Sequence, residues 1–116
     1  DRDAVVDLEC DIWIPAARPD VIDAHNVERL RARLVIEGAN IPITHEAERI
    51  LAGKGVLCVP DFIANAGGVI NVAEELHGYS KERALRAVDA IYANTKSVFT
   101  SARTDGVNPH IAAKSA

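Results

Sequence analysis

Three short apolar runs, CDIWI at residues 10–14, LVI at 34–36 and VLCV at 56–59, are each halted within two residues by a proline or a glycine. This punctuation constrains the fold more than any other feature. Runs so short, and so rich in β-branched and aromatic side chains, read as buried strands. Pro15 and Pro60 withdraw a ladder donor and Gly38 lets the backbone turn away, so none of the three can be prolonged. Between them the apolar spacing becomes helical. Asp20 or Asp23 can cap a helix with Val27, Leu30 and Leu34 inward and Glu28, Arg29, Arg31 and Arg33 outward. Thr44 can cap a second, carrying Ala47, Ile50 and Leu51 and ended by Gly53 and Gly55. Strand starts at Leu34 and Val56 lie about 22 residues apart, enough for a parallel strand–helix–strand crossover. The expected class is α/β, a parallel sheet of about three strands followed by C-terminal helices.

Those helices are read from Gly67 onward. Val69, Val72, Ala73 and Leu76 form one stripe before His77-Gly78 breaks it. Ser80 half-caps a longer helix in which Leu85, Val88, Ile91, Tyr92, Val98 and Phe99 predict one buried face along its length. Asp105-Gly106 is a turn, and Asn108 caps a last helix opened by Pro109.

The 116 residues suffice for one ordinary domain, and a 48% hydrophobic content suffices for a core. A net charge of -4 without a basic stripe argues against a nucleic-acid partner. The most continuous apolar stretches, such as residues 56–60, fall far short of the roughly 20 residues a membrane span needs. With no signal peptide ahead of Asp1, and with Cys10 and Cys58 placed at or inside apolar runs as free thiols, the expected location is cytoplasmic. The sequence has no methionine, so a fragment of a longer chain is expected. No metal site is expected: His45-Glu46 begins like a zinc helix, but Arg49 stands where the second ligand belongs, and His25, His77 and His110 have no partners at ligand spacing. Gly53-Lys54-Gly55 precedes a strand instead of following one, so Lys54 belongs to a helix stop at the wrong edge for chemistry.

Right-handed crossovers bring the C-terminal ends of successive parallel strands to one edge of the sheet, where open α/β sheets bind ligands. The loops there read Pro15-Ala16-Ala17, Gly38-Ala39-Asn40 and Asn65-Ala66-Gly67-Gly68. Their small residues let a ligand approach the backbone, and the two asparagines can both donate and accept. Gly67 and Gly68 also open a helix, whose N-terminal amides favour an anionic or carbonyl group.

The segments CDIWIPAA, EGANIPIT, EAERIL, GVLCVPDFIANAGGVINVAEEL and HGYSKERA resemble successive motifs of the C-terminal domain of glutamate, leucine, phenylalanine and valine dehydrogenases, over nearly the whole chain. The resemblance implies a partial Rossmann-like sheet: residues 1–116 would be the C-terminal portion of a dinucleotide-binding domain, without its first strand–helix–strand unit and without the N-terminal substrate domain. It implies NAD or NADP as cofactor and reversible oxidative deamination of an L-amino acid to a 2-oxo acid and ammonia. By position, Ala16, Ala17, Gly38 and Ala39 would line the cofactor, Asn40 would lie at the nicotinamide ribose and substrate, and Asn65 would meet the nicotinamide end. Gly67 and Gly68 would shape the turn beneath, and Val69 and Val72 would face the substrate side chain. In glutamate-specific relatives a serine typically matches Val72, so an apolar substrate is favoured. No catalytic residue is expected here, since the family's catalytic lysine and aspartate lie in the N-terminal domain. That domain and further copies of the chain in a homo-oligomer are the expected partners. A glutamate-specific fragment, and a non-enzymatic assembly or binding module, remain the alternatives.

Overall fold

The computed structural model describes residues 2–115. Strands β1 (Ile12–Trp13), β2 (Leu34–Ile36) and β3 (Leu57–Val59) are parallel and adjacent in that order, with Trp13 opposite Val35 and Val35 opposite Cys58. The crossover from β2 to β3 runs through α1 (His45–Gly53), capped as expected by Thr44, whose hydroxyl accepts from the Ala47 amide at 3.3 Å. Its inner face brings Ala47 and Leu51 against Val35 and Cys58, in one core with Val6, Ile22, Val27 and Leu30.

Two expectations fail here. The segment after Asp23 is not an α-helix but a single 3-10 turn, Val27–Arg29. Asp23 and Asn26 bond each other's backbone, Asn26 Oδ1 accepting from Asp23 N at 3.0 Å and Asp23 Oδ1 from Asn26 N at 3.2 Å, and Asn26 Nδ2 donates to Val21 O at 2.9 Å. Such local side-chain bonds compete with helix propagation. The spacing of Val27 and Leu30 serves the 3-10 turn, and Leu34 already belongs to β2. β1 is also shorter and more exposed than a buried strand: it is the sheet edge, and Ile12 and Ile14 are 51% and 57% exposed.

After β3 come α2 (Asp61–Ala64), α3 (Gly67–Glu75), α4 (Lys81–Asp105) and α5 (Pro109–Ser115). Their ends follow local chemistry: Ser80 Oγ accepts from Arg83 N at 3.4 Å, Gly106 ends α4 in the left-handed region at φ 66, and Asn108 Oδ1 accepts from Ile111 N at 2.9 Å. A second small core joins Val98 and Ala102 of α4 to Ala112 of α5. The expected stripe of α4 holds in part: Val98 is buried, together with Ala84 and Ala102, and Val88, Ile91 and Phe99 are half-buried, whereas Leu85 and Tyr92 face outward. The α3 stripe of Val69, Val72, Ala73 and Leu76 is likewise exposed. Among the described residues no helix is long and apolar enough to cross a membrane.

Candidate functional site

The loops following the three strands meet in one open cleft of about 570 Å³ at the C-terminal edge of the sheet. Ala16 and Ala17 come from the first loop, Gly38, Ala39 and Asn40 from the second, and Asn65, Gly68 and Val69 from the third and the start of α3. Gly67 and Val72 do not line it. Gly67 is half-buried against α4, where an added Cβ would sit 4.0 Å from Val88 Cγ2; Val72, one turn beyond Val69, is 61% exposed outside the cleft. Arg18 and Pro19 extend the wall, and sequence reading passed over both. Arg18 is the cationic group nearest the expected loop and follows it directly in sequence, which was the available signal.

The wall is held by backbone and carboxamide bonds. Ala39 N donates to Pro15 O at 2.7 Å, joining the first two loops. A Cβ at Gly38 would lie 3.3 Å from Ala16 Cβ and 3.4 Å from Pro15 O, so glycine permits this close approach. Asn65 Nδ2 donates to Asn40 Oδ1 at 2.7 Å and to Gly38 O at 3.4 Å, tying the third loop to the second. At Gly68 a Cβ would meet nothing within 4 Å, which leaves the backbone there open to a ligand.

Behind the wall lies a carboxylate pair that sequence reading missed. Glu37, only 4% exposed, accepts the Asp61 amide on Oε2 at 3.3 Å. Burial and then the nearby Asp61 carboxylate push the Glu37 acid up to about 7; the amide bond opposes this and Glu48 adds to it. Burial, with Glu37 and Glu48, likewise pushes the Cys58 thiol up to about 12, so it is an inert core residue. His110 Nδ1 is buried 3.2 Å from Glu48 Oε1 without hydrogen-bond geometry, and its ring meets Phe62 edge-on. Among the described residues no group of three or more potential ligands is placed to hold a metal ion.

A second hollow of about 630 Å³ opens at the opposite edge, between Asp11, Arg33, Lys54 and Leu57. Lys54 is engaged there, donating to Glu28 O and Glu28 Oε2 at 3.3 Å. This larger hollow lacks the small-residue loops and helix start of the first cleft.

Similarity to known proteins runs through nearly the whole chain. Leucine dehydrogenase of Thermoactinomyces intermedius is 42% identical over 112 residues, covering 96% of this chain and 31% of that enzyme. Valine dehydrogenase of Streptomyces coelicolor is 39% identical over 115 residues, covering 97% of this chain and 32% of that enzyme. The crystal structure of L-tryptophan dehydrogenase from Nostoc punctiforme superposes with a TM-score of 0.92 at 34% identity, over 97% of this chain and 34% of that one. The chain thus spans about a third of the length of these relatives. The sequence model of one family matches residues 1–112, and by that match the chain belongs to the Glutamate/Leucine/Phenylalanine/Valine dehydrogenase family.

Proposed function

We propose that the chain is the C-terminal part of the nucleotide-binding domain of an NAD(P)-dependent amino-acid dehydrogenase, which interconverts an L-amino acid with its 2-oxo acid and ammonia. The observation carrying this reading is the convergence of three small-residue loops on one cleft, closed at its base by the 2.7 Å Asn65–Asn40 bond. When bound, the nicotinamide would accept the hydride released from the substrate Cα. Ala16, Ala17, Gly38 and Ala39 fit a flat ring, because their side chains leave the backbone accessible. With its oxygen taken by Asn65, Asn40 offers a ligand chiefly its amide donors, suited to a ribose hydroxyl or a substrate carboxylate. Gly67 lies behind this surface and acts on it only by setting the turn into α3.

Proton transfer belongs, on the family resemblance, to a lysine and an aspartate of the preceding domain, and pyrophosphate binding to the first strand–helix–strand unit. The substrate is an apolar L-amino acid. Val69 is the side chain of α3 that lines the cleft, and leaving a carboxylate against it without a partner would cost several kcal/mol, whereas each buried methylene would gain about 0.8 kcal/mol. Val72 is exposed beyond the cleft and takes no part in this pocket. The parent enzyme should show a higher kcat/KM for leucine, valine or phenylalanine than for glutamate, and Val69→Ser should erode that preference several-fold. A parent preferring glutamate by more than tenfold overturns the substrate reading and leaves the family intact.

A further inference from the structure

We propose that Asp61 is a positioning residue of this cleft: its carboxylate holds the Ile41 backbone in a left-handed turn and thereby sets the Asn40 carboxamide against Asn65. The proposal rests on the reading of the cleft as the cofactor and substrate site.

Ile41 has φ 48, a conformation that a β-branched residue rarely adopts and that must be held by its surroundings. Both peptide groups of Ile41 are engaged. Its N–H donates to Asp61 Oδ2 at 2.7 Å, and its carbonyl accepts from Asp20 N at 2.9 Å. Asp20 also has φ 48, so two left-handed residues face each other across the first and second loops. Of these two bonds, the one to Asp61 depends on a side chain.

Asp61 is itself fixed. Its Oδ1 accepts from Phe62 N at 2.7 Å, and its N–H donates to Glu37 Oε2 at 3.3 Å. Asp61 therefore grips the second loop just before Gly38, through Glu37, and just after Asn40, through Ile41. One helical turn on, where Asn65 N donates to Asp61 O at 2.8 Å, the Asn65 side chain grips the same loop from within, at Gly38 O and Asn40 Oδ1. Positions four apart on a helix share a face, so the Asp and Asn of PDFIAN act on the loop as a pair. Without Asp61 the Ile41 backbone is free to leave the left-handed region, and Asn40, its chain neighbour, turns away from Asn65.

The test uses the full-length parent enzyme, with reduced dinucleotide (NADH and NADPH in parallel) as the binding probe. Asp61→Ala should weaken dinucleotide binding and lower kcat/KM at least tenfold, and should speed amide exchange in residues 39–41. Adding Ile41→Gly, which takes up positive φ freely, should restore at least half of the lost binding; a role confined to starting α2 would leave that double variant as impaired as Asp61→Ala. Should Asp61→Ala fail to fold, Asp61→Asn, which keeps a single carbonyl acceptor, is compared with and without Ile41→Gly in the same way. Asn40→Ala separates the two layers. If it impairs binding while Asp61→Ala does not, or if Ile41→Gly gives no rescue, the positioning role is overturned and the cleft stands. If Asn40→Ala leaves binding and kcat/KM unchanged, the cleft reading falls and the proposal with it.

Discussion

Glu37 has the residue environment with the clearest consequence in solution. Asp61 on α2 and Glu48 on α1 face it, and His110 and Lys114 on α5 border the same hollow. An acid raised from 4.5 to about 7 holds its proton more tightly in the folded than in the unfolded chain. The stability it confers is therefore complete below about pH 4.5 and is lost as pH rises through 7, a loss on the order of 3 kcal/mol once ionisation is complete. Glu37→Gln keeps an acceptor for the Asp61 amide and removes the charge. Thermal melts of the parent enzyme between pH 5 and 8 should show a falling midpoint for the native sequence and a flatter one for the variant; parallel profiles would refute the assignment. The expected loop residues were legible because small side chains directly after strand stops are a local pattern. Glu37 and Asp61 were not, since a carboxylate beside a glycine or a proline reads locally as a turn or a cap. Glu37 borders a hollow walled by residues of α1, α2 and α5, a setting that its neighbours in sequence do not reveal.

At the scale of elements, legibility followed the range of the interactions. Thr44, Ser80, Asn108 and Gly106 each delimit a helix through neighbours within four residues, and the structure places each as the sequence predicts. Residues 23–34 carry a helical spacing too, but the Asp23–Asn26 exchange and the burial of Val27, Leu30 and Ala32 under α1 and the sheet settle them otherwise. The stripe on α4 was drawn too wide because Leu85 and Tyr92 fit the same helical period as the buried Val98, and packing against α2, α3 and α5 selects the face that is covered. Thr44→Ala removes the acceptor for Ala47 N at the start of a helix whose Ala47 and Leu51 are wholly buried. It should cost about 1 kcal/mol in urea unfolding of the parent enzyme. An unchanged midpoint would mean that packing alone holds the start of α1.

The whole molecule is more open than a free-standing domain of its length. Its radius of gyration is 15.4 Å, against roughly 13 Å for a compact chain of this size, and its extents are 46 × 37 × 22 Å. Exposed apolar side chains include Ile12 and Ile14 at the β1 edge, Val69 and Val72 on α3, Leu76 just after it, and Leu85 and Tyr92 on α4, with Val69 at 74% and Leu76 at 81%. A parallel sheet with an unpaired edge and uncovered helices calls for cover from outside these residues. In an enzyme three times as long, the remaining two thirds of the chain would supply it. Made alone, residues 1–116 should bury these surfaces against copies of themselves, as a dimer or larger species in light scattering. The same protein should bind reduced dinucleotide weakly and show no amino-acid-dependent reduction of NAD or NADP, since the described residues lining its cleft offer carboxamides, backbone and the Arg18 guanidinium but no carboxylate, imidazole or amine for proton transfer. A monomer at high concentration with one cooperative thermal transition would show that the exposed apolar surface needs no cover. Robust turnover would show that the catalytic groups lie within these residues after all.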